Sequence, residues 1–275
     1  MLYFPISKIN IGLYITEKRP DGYHNLETIF YPIPLHDNLE IEVSKHDETP
    51  YQLYLSGNKI EGGAEDNIII KVLNSLKRDF EIPSLDIHLH KRIPMGAGLG
   101  GGSSDAAMFM KALNEMFNLG LTNEDMEARL APIGADCPFF VRSEPCFASG
   151  IGNVFSSSSI SLKGYYLVLV KPQDFVSTKD AYSGVVPQPA NVDLRDIHNL
   201  PITEWRDVVR NMFEVSVFKK FPGIEAVKKT LYDMGAVYAS MSGSGSTVFA
   251  LFDHKVENLE TVFADCFTFQ ELLRQ

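Results

Sequence analysis

The sequence predicts two domains built from mixed strands and helices, and three observations lead there. The chain has 275 residues, against roughly 100–200 for a typical domain. Strand-length apolar alternations and helix-length apolar stripes both recur along it. A polar tract of four serines at residues 156–159 separates two such series, which sets the expected division at 1–155 and 156–275.

The elements follow in order. Residues 7–16 alternate as a strand, with Ile9, Ile11, Leu13 and Ile15 on one face. Pro20-Asp21-Gly22 is a turn signal. Strands are expected at 26–34, 38–44 and 51–55, with a loop at 47–50. Residues 67–80 carry Ile69, Val72, Leu73 and Leu76 at helical spacing, capped by Asp66 or Asn67. Residues 84–92 read as a strand. Beyond a glycine-rich stretch, Ala106, Phe109, Met110, Leu113 and Phe117 form a helix stripe, with Ser103 or Ser104 as its N-cap and Asp105 in its first turn. Another helix is expected at 123–130. In the second half, 165–170 is a strand, 177–184 a short helix and 186–201 an irregular excursion. Helices are expected at 204–213, 224–234 and 255–266, the middle one stopped by Gly235. Residues 237–240 and 247–252 read as strands joined by a tight turn.

Composition narrows the function classes. A hydrophobic fraction of 45% with 22% charged residues is that of a globular protein, not a mostly disordered one. No apolar run approaches the roughly 18 residues of a membrane span, and the N-terminus lacks the pattern of a signal peptide. The three cysteines, Cys137, Cys146 and Cys266, lack metal-ligand spacing and fit reduced thiols of the cytoplasm. A net charge of -10 argues against duplex nucleic acid as a partner. It leaves anionic small molecules open, because a local amide-lined cleft can hold phosphate inside an acidic protein.

The glycine-rich stretch points to one. It reads Pro94-Met95-Gly96-Ala97-Gly98-Leu99-Gly100-Gly101-Gly102-Ser103-Ser104. Strand, glycine loop and helix N-terminus together suit a phosphate, since glycine lets the backbone approach an anion and the exposed amides favour it. Gly96 to Gly101 fits G-x-G-x-x-G, which leaves an NAD-binding oxidoreductase open. The mid-chain position and the lack of an acidic residue at a following strand end argue against that reading. A Walker loop would need Gly-Lys-Ser/Thr, so any cation acting on the phosphates must come from elsewhere.

Three segments together resemble the GHMP kinases: Lys8-Ile-Asn10, residues 94–107 and Met241-Ser-Gly-Ser-Gly245. Arg19-Pro-Asp-Gly-Tyr-His24 and Ile133-Gly-Ala-Asp-Cys-Pro-Phe-Phe140 are similar to the branch of that family whose acceptor alcohol carries cytidine diphosphate. The resemblance implies an α+β fold, with an N-terminal domain like the second domain of ribosomal protein S5 and a ferredoxin-like C-terminal domain. It implies ATP and magnesium, and phosphorylation of the 2-hydroxyl of a cytidine diphosphate-linked polyol on the way to isoprenoids. Homoserine- and mevalonate-type kinases of the same family are the nearest rivals.

The resemblance also assigns roles. Asp136 becomes the base that accepts the hydroxyl proton, where the residues alone suggest a cap or turn aspartate. Lys8 becomes its cationic partner, where the residues alone suggest a solvated lysine. Tyr23 and Tyr182 would stack on the cytosine, with His24 hydrogen-bonded to it and Thr178 nearby. Asn10 would lie near the reacting hydroxyl, and Asn67 and Lys91 near the adenine, although a helix cap explains Asn67 equally well. Ser242 and Gly243 would meet the substrate diphosphate or brace the glycine loop, unless they serve only a hairpin. Ser103 or Ser104 is a possible magnesium ligand.

Overall fold

A computed structural model describes residues 1–46 and 48–274. Asp47, at the start of the expected 47–50 loop, lies outside the described residues. The strands and helices of the first half are β1 (Leu2–Tyr3), β2 (Ile6–Lys18), β3 (His24–His36), β4 (Asn38–Val43), β5 (Tyr51–Gly57), α1 (Ile68–Leu76), β6 (Leu85–Lys91), α2 (Gly101–Met116), α3 (Asn123–Leu130) and α4 (Phe139–Arg142). The remainder are β7 (Cys146–Ser149), β8 (Val154–Ser157), β9 (Tyr166–Lys171), α5 (Thr178–Tyr182), α6 (Trp205–Val208), α7 (Phe213–Lys220), α8 (Pro222–Asp233), β10 (Tyr238–Met241), β11 (Val248–Phe252), α9 (Leu259–Val262) and β12 (Phe267–Leu272).

Two compact units divide the chain, and neither is continuous in sequence. The first takes residues 1–7, 35–95 and 100–143; the second takes 8–34, 96–99 and 144–275. The first unit holds a mixed sheet in the order β1-β4-β6-β5. Strand β6 lies antiparallel to β4 and parallel to β5. Leu85, Ile87 and Leu89 alternate into the core from β6, as a half-buried strand requires. Helix α1 buries Ile69, Ile70, Val72, Leu73 and Leu76, and α2 buries Ala106, Phe109, Met110 and Leu113.

The second unit holds two sheets, β2-β3-β7-β8 and β10-β11-β9-β12. In the latter, β9 pairs antiparallel with both β11 and β12, and β10 with β11. A strand-helix-strand, strand-helix-strand path with this order is ferredoxin-like. Val168 and Val170 on β9, Val248 and Ala250 on β11 and Ile224, Val227 and Leu231 on α8 share one buried cluster with Leu13 and Ile15 of β2. Among the described residues, no helix is long and apolar enough to cross a membrane.

Several expected elements differ. Helix α1 ends at Leu76 rather than 80; Asp79 and Phe80 turn back onto the Leu76 carbonyl before Pro83, which disfavours helix in its predecessor. The helix expected at 204–213 stops at Val208, because Asn211 leaves it to bridge Leu13 of β2. Residues 213–220 then form α7. The helix expected at 255–266 is the single turn α9, entered through Asn258 in the left-handed region. Strand β12 follows, missed because its Phe267-Thr-Phe alternation is short. Ser156 and Ser157 of the serine tract lie in β8, paired with β7.

Candidate active site

In the first unit, the site begins where β6 runs into the glycine loop. Asp37 holds that exit: its Oδ1 accepts from the amides of Arg92 at 2.5 Å and Ile93 at 2.8 Å. Its other oxygen takes the Lys91 ammonium, which also reaches Asp105 at 2.6 Å. All three side chains are buried. Lys91, expected near adenine, therefore has its ammonium engaged by two carboxylates inside the unit. One ammonium cannot balance both acids, and burial pushes the Asp105 carboxyl up to about 8 against the opposing pull of Lys91.

Helix α2 starts at Gly101, with Gly100 as N-cap in the left-handed region (φ 71°). Neither Ser103 nor Ser104 is the cap, because a glycine takes that backbone conformation without strain. Both serines lie inside the first turns, and Asp105 is a buried ion-pair partner beyond the first turn. The leading amides of α2 have no carbonyl within the helix to bond and are natural anion donors. Asn67 caps α1, its Oδ1 accepting from Ile69 at 3.0 Å; the functional reading keeps only the rest of its amide.

Asp136 sits half-buried in the turn leading to α4. That turn is held against the start of α2. The Cys137 amide donates to the Gly134 carbonyl at 3.1 Å, and the Cys137 thiol exchanges a hydrogen bond with Ser103. A Cβ on Gly134 would come within 2.8 Å of the Cys137 sulfur and 3.7 Å of the Ser103 hydroxyl oxygen. Burial pushes the thiol up to about 11, so it is a packing group and not a nucleophile.

In the second unit, the buried Lys8 ammonium donates to Asn10 Oδ1 at 2.5 Å and to the Gly98 carbonyl at 3.2 Å, and lies 4.9 Å from the Phe30 ring centroid. Asn10 in turn donates to Thr28 Oγ1 at 3.0 Å. Ser242 Oγ donates to the Gly98 carbonyl at 2.8 Å and accepts from the Asn10 amide at 3.2 Å. The Ser-Gly-Ser-Gly turn thus braces the glycine loop, one of the expected alternatives. Gly98 is left-handed (φ 73°), and a Cβ there would fall 2.0 Å from the Ser242 carbonyl oxygen. Gly243 packs likewise, its missing Cβ 3.2 Å from Asn10 Oδ1. Ala97 and Leu99 point into the core, their carbonyls accepting from Thr247 and Lys8.

The aromatic residues form a second group in this unit. His24 packs on Tyr182 with ring centroids 4.9 Å apart and planes at 33°, and Tyr182 meets Phe213 edge-on at 4.7 Å. Tyr23 is 63% exposed and outside that stack. Thr178 opens α5, exposed beside the Ser177 cap.

Asn211 and Glu214 escaped the sequence reading. Asn211 Nδ2 donates to the carbonyls of Met241 and Gly243 at 2.7 and 2.8 Å. Glu214 accepts from the Met241 amide at 2.8 Å. Their i, i+3 spacing reads as an ordinary helix surface, and only the turn they hold reveals them. Among the described residues, no cluster of three or more acidic, histidine or cysteine side chains could cage a metal.

The first unit supplies an amide-lined helix start with an aspartate near it, and the second a lysine fixed on the glycine loop; each is a part that phosphoryl transfer uses. The model of the GHMP kinases N terminal domain matches residues 67–144, and that of the GHMP kinases C terminal domain residues 196–265. A 4-diphosphocytidyl-2-C-methyl-D-erythritol kinase of Bacteroides fragilis is 52% identical over 274 residues, covering all of both chains. The crystal structure of a 4-(cytidine 5'-diphospho)-2C-methyl-D-erythritol kinase superposes with a TM-score of 0.83 at 28% identity, over 98% of each chain. Mevalonate kinase of Methanococcus jannaschii shares the fold at a TM-score of 0.72 and 16% identity, over 100% of this chain and 98% of its own. The chain belongs to the GHMP kinase family, and within it to the 4-diphosphocytidyl-2-C-methyl-D-erythritol kinases. The oxidoreductase reading of the glycine loop falls with that finding. The strand before the loop lies in a mixed sheet, not the parallel sheet of a dinucleotide fold.

Proposed function

We propose that this chain transfers the γ-phosphoryl group of ATP to the 2-hydroxyl of 4-diphosphocytidyl-2-C-methyl-D-erythritol, in the methylerythritol phosphate route to isoprenoids. The observation that carries the mechanism is the buried Lys8 ammonium on the Gly98 carbonyl. It is a cation fixed to the phosphate loop that lacks a Walker lysine.

The amides opening α2 hold the phosphates of ATP. Asp136 takes the proton of the 2-hydroxyl, whose oxygen forms the new bond to the γ-phosphorus as the bond to the ADP oxygen breaks. Lys8 stabilises charge on the transferring group, and Asn10 orients both Lys8 and the alcohol. Magnesium, when bound with ATP, would neutralise charge on the phosphates, with Ser103 or Ser104 the protein hydroxyls to complete its shell. The cytosine enters the aromatic group: Tyr23 and Tyr182 stack on it while His24 swings off Tyr182 to hydrogen-bond its edge, and Thr178 lies beside it. Asn67 and the backbone at Lys91 approach the adenine, and Ser242 and Gly243 the substrate diphosphate. Assignment of 1–155 to ATP and 156–275 to the acceptor belongs to this proposal, as do a cytoplasmic location and the lack of nucleic-acid or membrane partners.

Supplying ATP with each candidate alcohol and following ADP release tests it. Turnover of the cytidylyl alcohol alone is expected. Turnover of homoserine or mevalonate, with none of the cytidylyl substrate, overturns it.

A further inference from the structure

We infer that Asn211 and Glu214 are positioning residues for phosphoryl transfer, acting through the Met241–Gly243 turn on Asn10 and Lys8. The inference rests on the function proposed above for Lys8 and Asn10.

Asn211 is 2% exposed and its amide is fully employed. Nδ2 donates to the Met241 and Gly243 carbonyls at 2.7 and 2.8 Å, and Oδ1 accepts from Phe213 at 3.0 Å. Two carbonyl acceptors dictate that the NH₂ end faces the turn. Glu214 grips the same turn from its other polarity, accepting from the Met241 amide at 2.8 Å and the Ser240 hydroxyl at 3.2 Å. Its second oxygen holds Lys228 at 2.7 Å.

The backbone around Asn211 is docked on β2, the strand that carries Lys8 and Asn10. The Leu13 amide donates to the Arg210 carbonyl at 2.9 Å, and the Met212 amide to the Leu13 carbonyl at 2.8 Å. One residue therefore fixes the turn relative to the strand. Ser242, at the centre of that turn, bonds the Asn10 amide and the Gly98 carbonyl, and the Lys8 ammonium donates to both Asn10 and Gly98. The clamp has no need to touch substrate; it sets where Asn10 and Lys8 stand. A misplacement of about 1 Å can cost a reaction roughly 100-fold.

Asn211→Asp keeps the shape but turns an oxygen toward two carbonyls. We expect its kcat to fall about 10- to 100-fold with KM for ATP within about threefold, measured well below its melting temperature. Glu214→Ala should lower kcat in the same way, and Glu214→Gln, which keeps the acceptor for Met241, should restore it. Wild-type kcat in folded Asn211→Asp overturns the inference. If Asn211→Asp does not fold, the Glu214 pair decides: equal kcat in Glu214→Ala and wild type, or no rescue by Glu214→Gln, overturns it. Each ratio is taken with whichever alcohol the wild type phosphorylates, so a wrong acceptor leaves the test intact.

Discussion

The two halves of the glycine-rich loop are alike in sequence and unlike in structure. From Gly96 to Leu99 the chain belongs to the second unit, and its glycines answer to the fold. A side chain at Gly98 would collide with the Ser242 backbone. From Gly100 to Ser104 the chain belongs to the first unit and becomes the start of α2. There Gly102 has no positive φ, and a Cβ would meet only Ile68 Cγ2 at 4.0 Å. The fold does not require that glycine. The contrast teaches that a run of glycines mixes two demands: close packing of the protein on itself, and room for a ligand.

Gly98→Ala should show the largest effect. Left-handed strain and a backbone clash together cost about 2–5 kcal/mol, which corresponds to a melting temperature lower by about 5–15 °C. A melt within about 2 °C of wild type would remove the packing demand from this half. Gly102→Ala should melt within about 2 °C of wild type yet bind ATP about tenfold more weakly, because the new methyl occupies the approach to the leading amides. Unchanged ATP affinity by titration would show that Gly102 leaves its space for something else.

A smaller and pH-dependent effect separates the two halves further. Asp105, just past the second half, belongs to the first unit's buried network with Lys91 and Asp37, and its Oδ1 has no hydrogen-bond partner. Its carboxyl is raised from 3.8 to about 8 by burial, with Lys91 opposing and Asp37 reinforcing the rise. Below the unfolded value both states keep the proton and the group is neutral to stability. As pH climbs toward 8, the unfolded chain releases the proton while the folded chain retains it, so stability falls, and above about 8 the loss is complete. Asp105→Asn should therefore gain in melting temperature over wild type as pH rises from about 5 to 8, then level off. A difference that does not vary with pH would show that Asp105 is ionised throughout.

Much of this was legible in the sequence where a signal is local. Helix α3 has its expected bounds because Thr122 and Asp125 cap it reciprocally. Strand β2 was visible through its alternation, although burial of Lys8 and Asn10 on the same strand was not, since period-two patterning assumes a solvated face. Asp37 was silent because its lysine lies 54 residues away. The four serines suggested a domain boundary; the first two, Ser156 and Ser157, lie in a short edge strand because β7 supplies the pairing. The helix signal through 204–213 was misleading because tertiary pairing of Asn211 with Leu13 outweighs local propensity.

The most direct test of the account is the turnover of Asp136→Asn, measured beside ATP binding on the same preparation. The side chain keeps its size and loses its ability to take a proton. The account predicts that kcat with the cytidylyl alcohol falls by about 10²–10⁴ while the ATP dissociation constant stays within about threefold. Turnover close to wild type would contradict it, and would remove Asp136 from the proton transfer.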